Sequence, residues 1–114
     1  MVRREEDQIR EVRPQMRGGK GQVTLCHLEK ELLPENGRLF AKLILGPGCS
    51  IGAHEHVGEA EMFYFVSGQG VVTDDGEEIA VSAGDVMTTP SGHAHSVENT
   101  GDEDLVLIAA IVKG

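Results

Sequence analysis

An all-β, single-domain fold built as a double-sheet barrel or sandwich is predicted by three features of the sequence. Short apolar runs alternate with polar residues at period two, separated by closely spaced turn signals. No segment reads as a helix longer than one turn. Fifteen glycines, four Phe and Tyr residues together and no tryptophan describe many short strands joined by tight turns. A chain of 114 residues has room for one domain and can bury a core without disulfides. No internal repeat of about 20–50 residues is visible.

Residues 1–21 read as an N-terminal arm, and 22–114 as the barrel domain. In the arm, REEDQIREV can form a turn of helix that Pro14 ends, and MRGGKGQ reads as a flexible, basic loop. It holds no phosphate-binding GxxxxGK[ST]. Residues 1–20 carry a net +2 and the remainder −11, so a cationic arm is expected to pack on its own barrel or on a partner subunit. Arg17 or Lys20 would reach a pocket mouth there and attract an anionic ligand.

Gln22–Leu28 is the first barrel strand, with His27 expected on its solvent or partner side. LLPENG turns the chain. In Arg38–Leu45 the shared parity of Arg38 and Lys42 places Leu39, Ala41, Leu43 and Leu45 inward. Gly46-Pro47-Gly48 ends that strand. His54 and His56 then lie two apart and project from one strand face. Val57–Ala60 turns so that Glu61 opens the next strand, MFYFV, with Phe63 and Phe65 on the side of Glu61. Met62 and Tyr64 point away. Val71–Thr73 and Glu77–Val81 flank the hairpin signal Asp74-Asp75-Gly76. Val86–Thr89, His93–Val97 and Leu105–Val112 complete the strands. The last is apolar on both parities, so both faces should be covered, one by a second copy of the chain.

The composition excludes several function classes. A net charge of −9 argues against nucleic acid. The start MVRREEDQIR lacks the apolar core of a signal peptide, and the longest apolar run has eight residues against the ~20 needed to span a bilayer. A cytoplasmic protein is expected, with Cys26 and Cys49 reduced and structural.

Two imidazoles and a carboxylate from His54, His56 and Glu61 point to a metal site awaiting a further ligand. His95, on a strand returning after the Pro90–Gly92 turn, is the candidate. Three neutral imidazoles and one carboxylate suit a divalent transition ion: Mn, Fe, Co, Ni, Cu or Zn. Gly48-x5-His54-x-His56-x4-Glu61-x6-Gly68 resembles the first motif of the cupin family. Gly84-x5-Pro90-x-Gly92-x2-His95-x3-Asn99 resembles its second. The fifteen intervening residues resemble the spacing in small single-domain microbial cupins. The resemblance implies a double-stranded β-helix, the jelly-roll cupin barrel, with His54, His56, Glu61 and His95 as metal ligands.

Around that site, His93 and Glu59 are the candidate catalytic groups, His93 as a proton carrier behind the ligands and Glu59 as a base at the rim. Glu55 points away from the ligand pair, and so does Tyr64, the only phenol. The resemblance implies either a metal-dependent enzyme of oxygenase, decarboxylase or isomerase type acting on a small anionic or oxygen-rich substrate, or a non-catalytic small-molecule binding or sensory module. The expected partners are a small-molecule ligand and a second subunit, with neither nucleic acid nor membrane.

Overall fold

The computed structural model describes residues 1–114 as ten strands in two antiparallel sheets. They are β1 (Ile9–Pro14), β2 (Gln22–Glu29), β3 (Gly37–Leu45), β4 (Ser50–Glu55) and β5 (Glu59–Ser67). β6 (Gln69–Asp74), β7 (Glu77–Ser82), β8 (Val86–Thr89), β9 (Ala94–Glu98) and β10 (Leu105–Lys113) follow. The larger sheet has the order β1-β2-β3-β10-β5-β8 and the smaller β4-β9-β6-β7. Neighbours such as β3-β10-β5 and β4-β9-β6 are far apart in sequence, so the chain winds between two facing sheets as a jelly-roll does.

The alternation read from the sequence places the core. Leu25, Leu43, Leu45, Phe65, Leu105 and Leu107 are fully buried between the sheets, and Phe63 lies edge-on to Phe65 with centroids 6.1 Å apart. Met62 and Tyr64 face outward, as their parity requires. β6 and β7 join through Asp75 and Gly76, both at positive φ, the backbone a two-residue hairpin of primed type needs. No helix is long and apolar enough to cross a membrane.

Three expectations are corrected. The turn of helix in the arm is confined to a 3-10 turn at Glu5–Asp7, and Ile9–Pro14 instead forms β1, paired along its length with β2. β1 was hidden because its two apolar residues, Ile9 and Val12, fall on opposite parities and none of its residues is buried, and because Pro14 is tolerated at the end of an edge strand. His27 does not face solvent. It shares the inward parity of Val23 and Leu25 and is 5% exposed.

The loop expected to be flexible is also structured. Met16–Gly18 is a 3-10 turn with Gln15 and Arg17 at positive φ, and it lies against β4. Ser50 N–H donates to Lys20 O at 2.9 Å, while Lys20 N–H donates to Ser50 Oγ at 2.9 Å. A Cβ on Gly19 would collide with the Ser50 carbonyl, and one on Gly52 with the Arg17 carbonyl. The two backbones meet at a distance that only glycine allows.

Candidate metal centre

His54 lies on β4, His56 one residue past its end, Glu61 on β5 and His95 on β9. His54 faces inward because β4 contains a bulge. Ser50 pairs with Glu98 and Ile51 with Val97, but the next partners are His54 and His95, so Gly52 and Ala53 together oppose Ser96. The extra residue reverses the parity, and Ile51 and His54, three apart, line the same cavity. A glycine inside a strand is the sequence signal for such a bulge, and Gly52 carried it unread.

The four side chains converge, with one potential ligand atom from each lying within 4.8 Å of all the others. His56 Nε2 is 2.9 Å from Glu61 Oε1 and 3.1 Å from His95 Nε2, and His95 Nε2 is 3.2 Å from His54 Nε2 and 3.0 Å from Glu61 Oε1. An ion about 2.1 Å from each ligand sets neighbouring octahedral ligands about 3.0 Å apart. The observed separations fit that arrangement.

Behind each imidazole an oxygen holds the other ring nitrogen. His54 Nδ1 donates to Gly52 O at 2.8 Å, and His56 Nδ1 to Glu59 Oε1 at 3.1 Å. His95 Nδ1 is 2.7 Å from Thr89 Oγ1, on β8 opposite Glu61. The carbonyl and the carboxylate only accept, so His54 and His56 carry their proton on Nδ1 and turn an Nε2 lone pair to the centre, and the Thr89 hydroxyl is placed to accept from His95 Nδ1 in the same sense. Phe63 stacks on His95 at 5.0 Å between centroids and 15° between planes, so the ring is fixed on its apolar side too. Burial pushes the His54 pKa below that of a free imidazole, against the Gly52 hydrogen bond, with His95, Arg17 and His56 adding repulsion. The neutral form, the one that ligates, is favoured.

Glu59 and His93 sit differently. The Glu59 carboxylate accepts from Arg38 Nε at 2.5 Å and Nη2 at 2.8 Å, and its pKa is lowered first by Arg38 and then by His56. It stands behind His56, spanning β5 and β3. His93 is half-exposed, its Nδ1 2.5 Å from Asp75 Oδ2, and that carboxylate raises its pKa. Thr89 carries no local sequence signal of its role, because only sheet pairing brings it to His95.

Above the cluster opens a cavity of about 220 Å³. Leu25, Leu39, Leu43, Ile51, Phe63 and Ile111 form its apolar wall. Arg13, Arg17, Lys30 and Arg38 bring positive charge to it. Arg13 and Arg38 are paired with Glu11 and Glu59, whereas Arg17 and Lys30 make no ion pair. Lys20 is turned away toward Glu98 at 3.7 Å.

A family model described as a cupin domain matches residues 41–111. The chain is 49% identical over 98 residues to a protein of Thermotoga maritima named oxalate-binding protein, a match covering 85% of this chain and 81% of that one. A crystal structure from Thermotoga maritima, described as a predicted oxalate decarboxylase, superposes with a TM-score of 0.95 at 44% identity over all of both chains. The cupin domain of Schizosaccharomyces pombe Cnp3 shares the fold alone, with TM-score 0.74, 17% identity and coverage of 91% of this chain and 69% of that one. The two spaced motifs, the paired sheets wound as a jelly-roll and the matched family model agree, and the chain belongs to the cupin family.

Proposed function

We propose that the chain holds a divalent transition ion at His54, His56, Glu61 and His95 and binds a small dicarboxylate of the oxalate class there, as a metal-dependent enzyme of decarboxylase or oxygenase type. The observation that carries this reading is the combination of a convergent three-imidazole, one-carboxylate donor set with two unpaired cations, Arg17 and Lys30, on one cavity of a chain whose net charge is −9. Those cations draw an anion in, and the aliphatic wall sheds water around it, which strengthens each electrostatic contact. When bound, the ion supplies Lewis acidity or, where redox-active, electron transfer to oxygen.

A non-catalytic binding module is the second reading, favoured by the name of the Thermotoga relative, oxalate-binding protein, which states binding and no reaction. Protein purified without chelator and reconstituted with each ion in turn is titrated with oxalate and then assayed for its consumption under oxygen. Binding with turnover, lost in Glu61→Gln with the fold retained, supports the enzyme. Binding without turnover for every ion supports the module. Failure of the reconstituted protein to retain metal or to bind oxalate ends both.

We also propose a homodimer. Its support is the outer face of the larger sheet, where Phe40, Met62, Tyr64 and Val66 are exposed beside the half-buried Val106, Ile108 and Val112. A contiguous apolar face of that kind marks an interface in a folded protein.

A further inference from the structure

The fifth histidine is organised in the opposite sense to the three in the cluster. His27 lines the same cavity as His54, His56 and Glu61. Its Nε2 lies 2.6 Å from Glu11 Oε1, and that same oxygen accepts from Arg13 Nη2 at 2.9 Å. Nε2 is the only ring atom of His27 that makes a hydrogen bond, yet no sealed side-chain nitrogen or oxygen in the protein lacks a partner. Nδ1 is therefore not sealed off, on a ring that lines the cavity.

Glu11 decides the tautomer. An ionised carboxylate only accepts hydrogen bonds, so His27 must donate from Nε2, and the neutral ring carries its lone pair on Nδ1. His27 and Arg13 together lower the Glu11 pKa to about 2, which keeps that carboxylate ionised across the working range. A carboxylate that fixes a histidine tautomer and leaves the other nitrogen facing a reaction space is the arrangement of an oriented general base.

We propose that His27, oriented by Glu11 and Arg13, is the proton-exchanging group of this cavity, with Nδ1 exchanging a proton with a dicarboxylate held at the metal cluster. The proposal rests on the reading of the site given above. The proton comes from solvent. On entry of a dianion the neutral ring takes it up at Nδ1, becomes an imidazolium that still donates from Nε2 to Glu11, and donates Nδ1–H to a ligand oxygen. In a decarboxylation the C–C bond of the dianion breaks, CO2 leaves, the electron pair left on the remaining carboxylate carbon takes the proton from Nδ1 to give formate, and the ring returns to neutral. The charged groups facing His27 are Glu11 and Arg13 from β1, Arg17 from the 3-10 turn, Arg38 from β3, Glu29 and Lys30 of its own strand end, and His54, His56 and Glu61 across the cavity.

The test begins with unmutated protein loaded with Zn, which is diamagnetic. Imidazole nitrogen NMR is expected to show His27 as the Nε2–H tautomer, converting to the doubly protonated ring on addition of oxalate. Calorimetry in buffers of different ionisation enthalpy, with Mn-loaded protein at neutral pH, is expected to show uptake of on the order of one proton per oxalate. His27→Gln should abolish most of that uptake while retaining full metal content, and should lower any turnover by roughly 10²–10⁴-fold. Glu11→Gln, at a partly exposed position, keeps the ring in place but frees its tautomer, and should give an intermediate loss if His27→Gln does not fold. An Nδ1–H tautomer in the unmutated protein, or unchanged proton uptake in a folded, metal-replete His27→Gln, overturns the proposal alone. Absence of oxalate binding by the metal-loaded wild type overturns it together with the reading on which it rests.

Discussion

His56 shows how much of a metal centre is built behind its ligands. Its Nε2 faces Glu61 and His95, but its direction is set by Glu59, and Glu59 by the bidentate grip of Arg38. Glu59→Gln preserves size and removes the charge that raises imidazole basicity, so metal affinity should fall about 10- to 100-fold, measured by competition with a chromophoric chelator. Glu61→Gln removes a ligand, and elemental analysis after reconstitution should find metal content reduced well below that of Glu59→Gln. Glu11 carries a pH dependence of stability. Its carboxyl titrates at about 2 in the folded chain against 4.5 as its ordinary value, with His27 the first cause and Arg13 the second. Its contribution is complete above 4.5 and is lost as pH falls through about 2. Urea unfolding between those limits should show stability declining with acid, with a shallower decline in Glu11→Gln. The ligand residues were legible because motif spacing encodes them. The roles of Thr89, Glu11 and His27 were not, since each depends on a partner in another strand.

At the scale of elements, β4 and the Met16–Gly18 turn act as one piece. Gly19 and Gly52 let their backbones touch, and the turn carries Arg17 to the cavity through a left-handed conformation that non-glycine residues rarely adopt. Gly52→Ala sets a methyl against the Arg17 carbonyl, an atom of the backbone that cannot swing aside. The cost should be roughly 1–3 kcal/mol, the range for overpacking. Thermal unfolding should register it as a lower Tm, and oxalate affinity should weaken as Arg17 is displaced. Strands with one buried face, such as β3 and β5, were readable from alternation, because burial of Leu43 and Phe65 demands it. β1 and the turn were not readable. Both are held by backbone hydrogen bonds and close approach, which leave no apolar period in the side chains.

For the whole molecule, the two sheets divide the work. The smaller supplies His54 and His95, and the larger supplies Glu61, Thr89, Arg38 and His27, so the cluster and its cavity exist only when the sheets close on each other. The outer face of the larger sheet exposes Phe40, Met62, Tyr64 and Val66, the face proposed above to meet a second copy. Light scattering at micromolar concentration should return a dimer mass, and Ile108→Lys, charging the middle of that face, should return a monomer with metal content unchanged. A monomer mass for the wild type would remove the dimer. A double-sheet barrel was legible from turn spacing and its jelly-roll winding from the resemblance of the two motifs, whereas most of the cavity wall comes from β1, β2, β3, β10 and the Met16–Gly18 turn, outside both motifs, with Ile51 and Phe63 inside the first. The bulge at Gly52 and Ala53 makes the centre a matter of counting. Deleting either residue would leave composition and hydropathy almost untouched, yet it would shift the strand's phase by one and turn His54 out to solvent. For a chain of this type, the length of the segment between Ile51 and His54 is as much a part of the metal site as the imidazole itself.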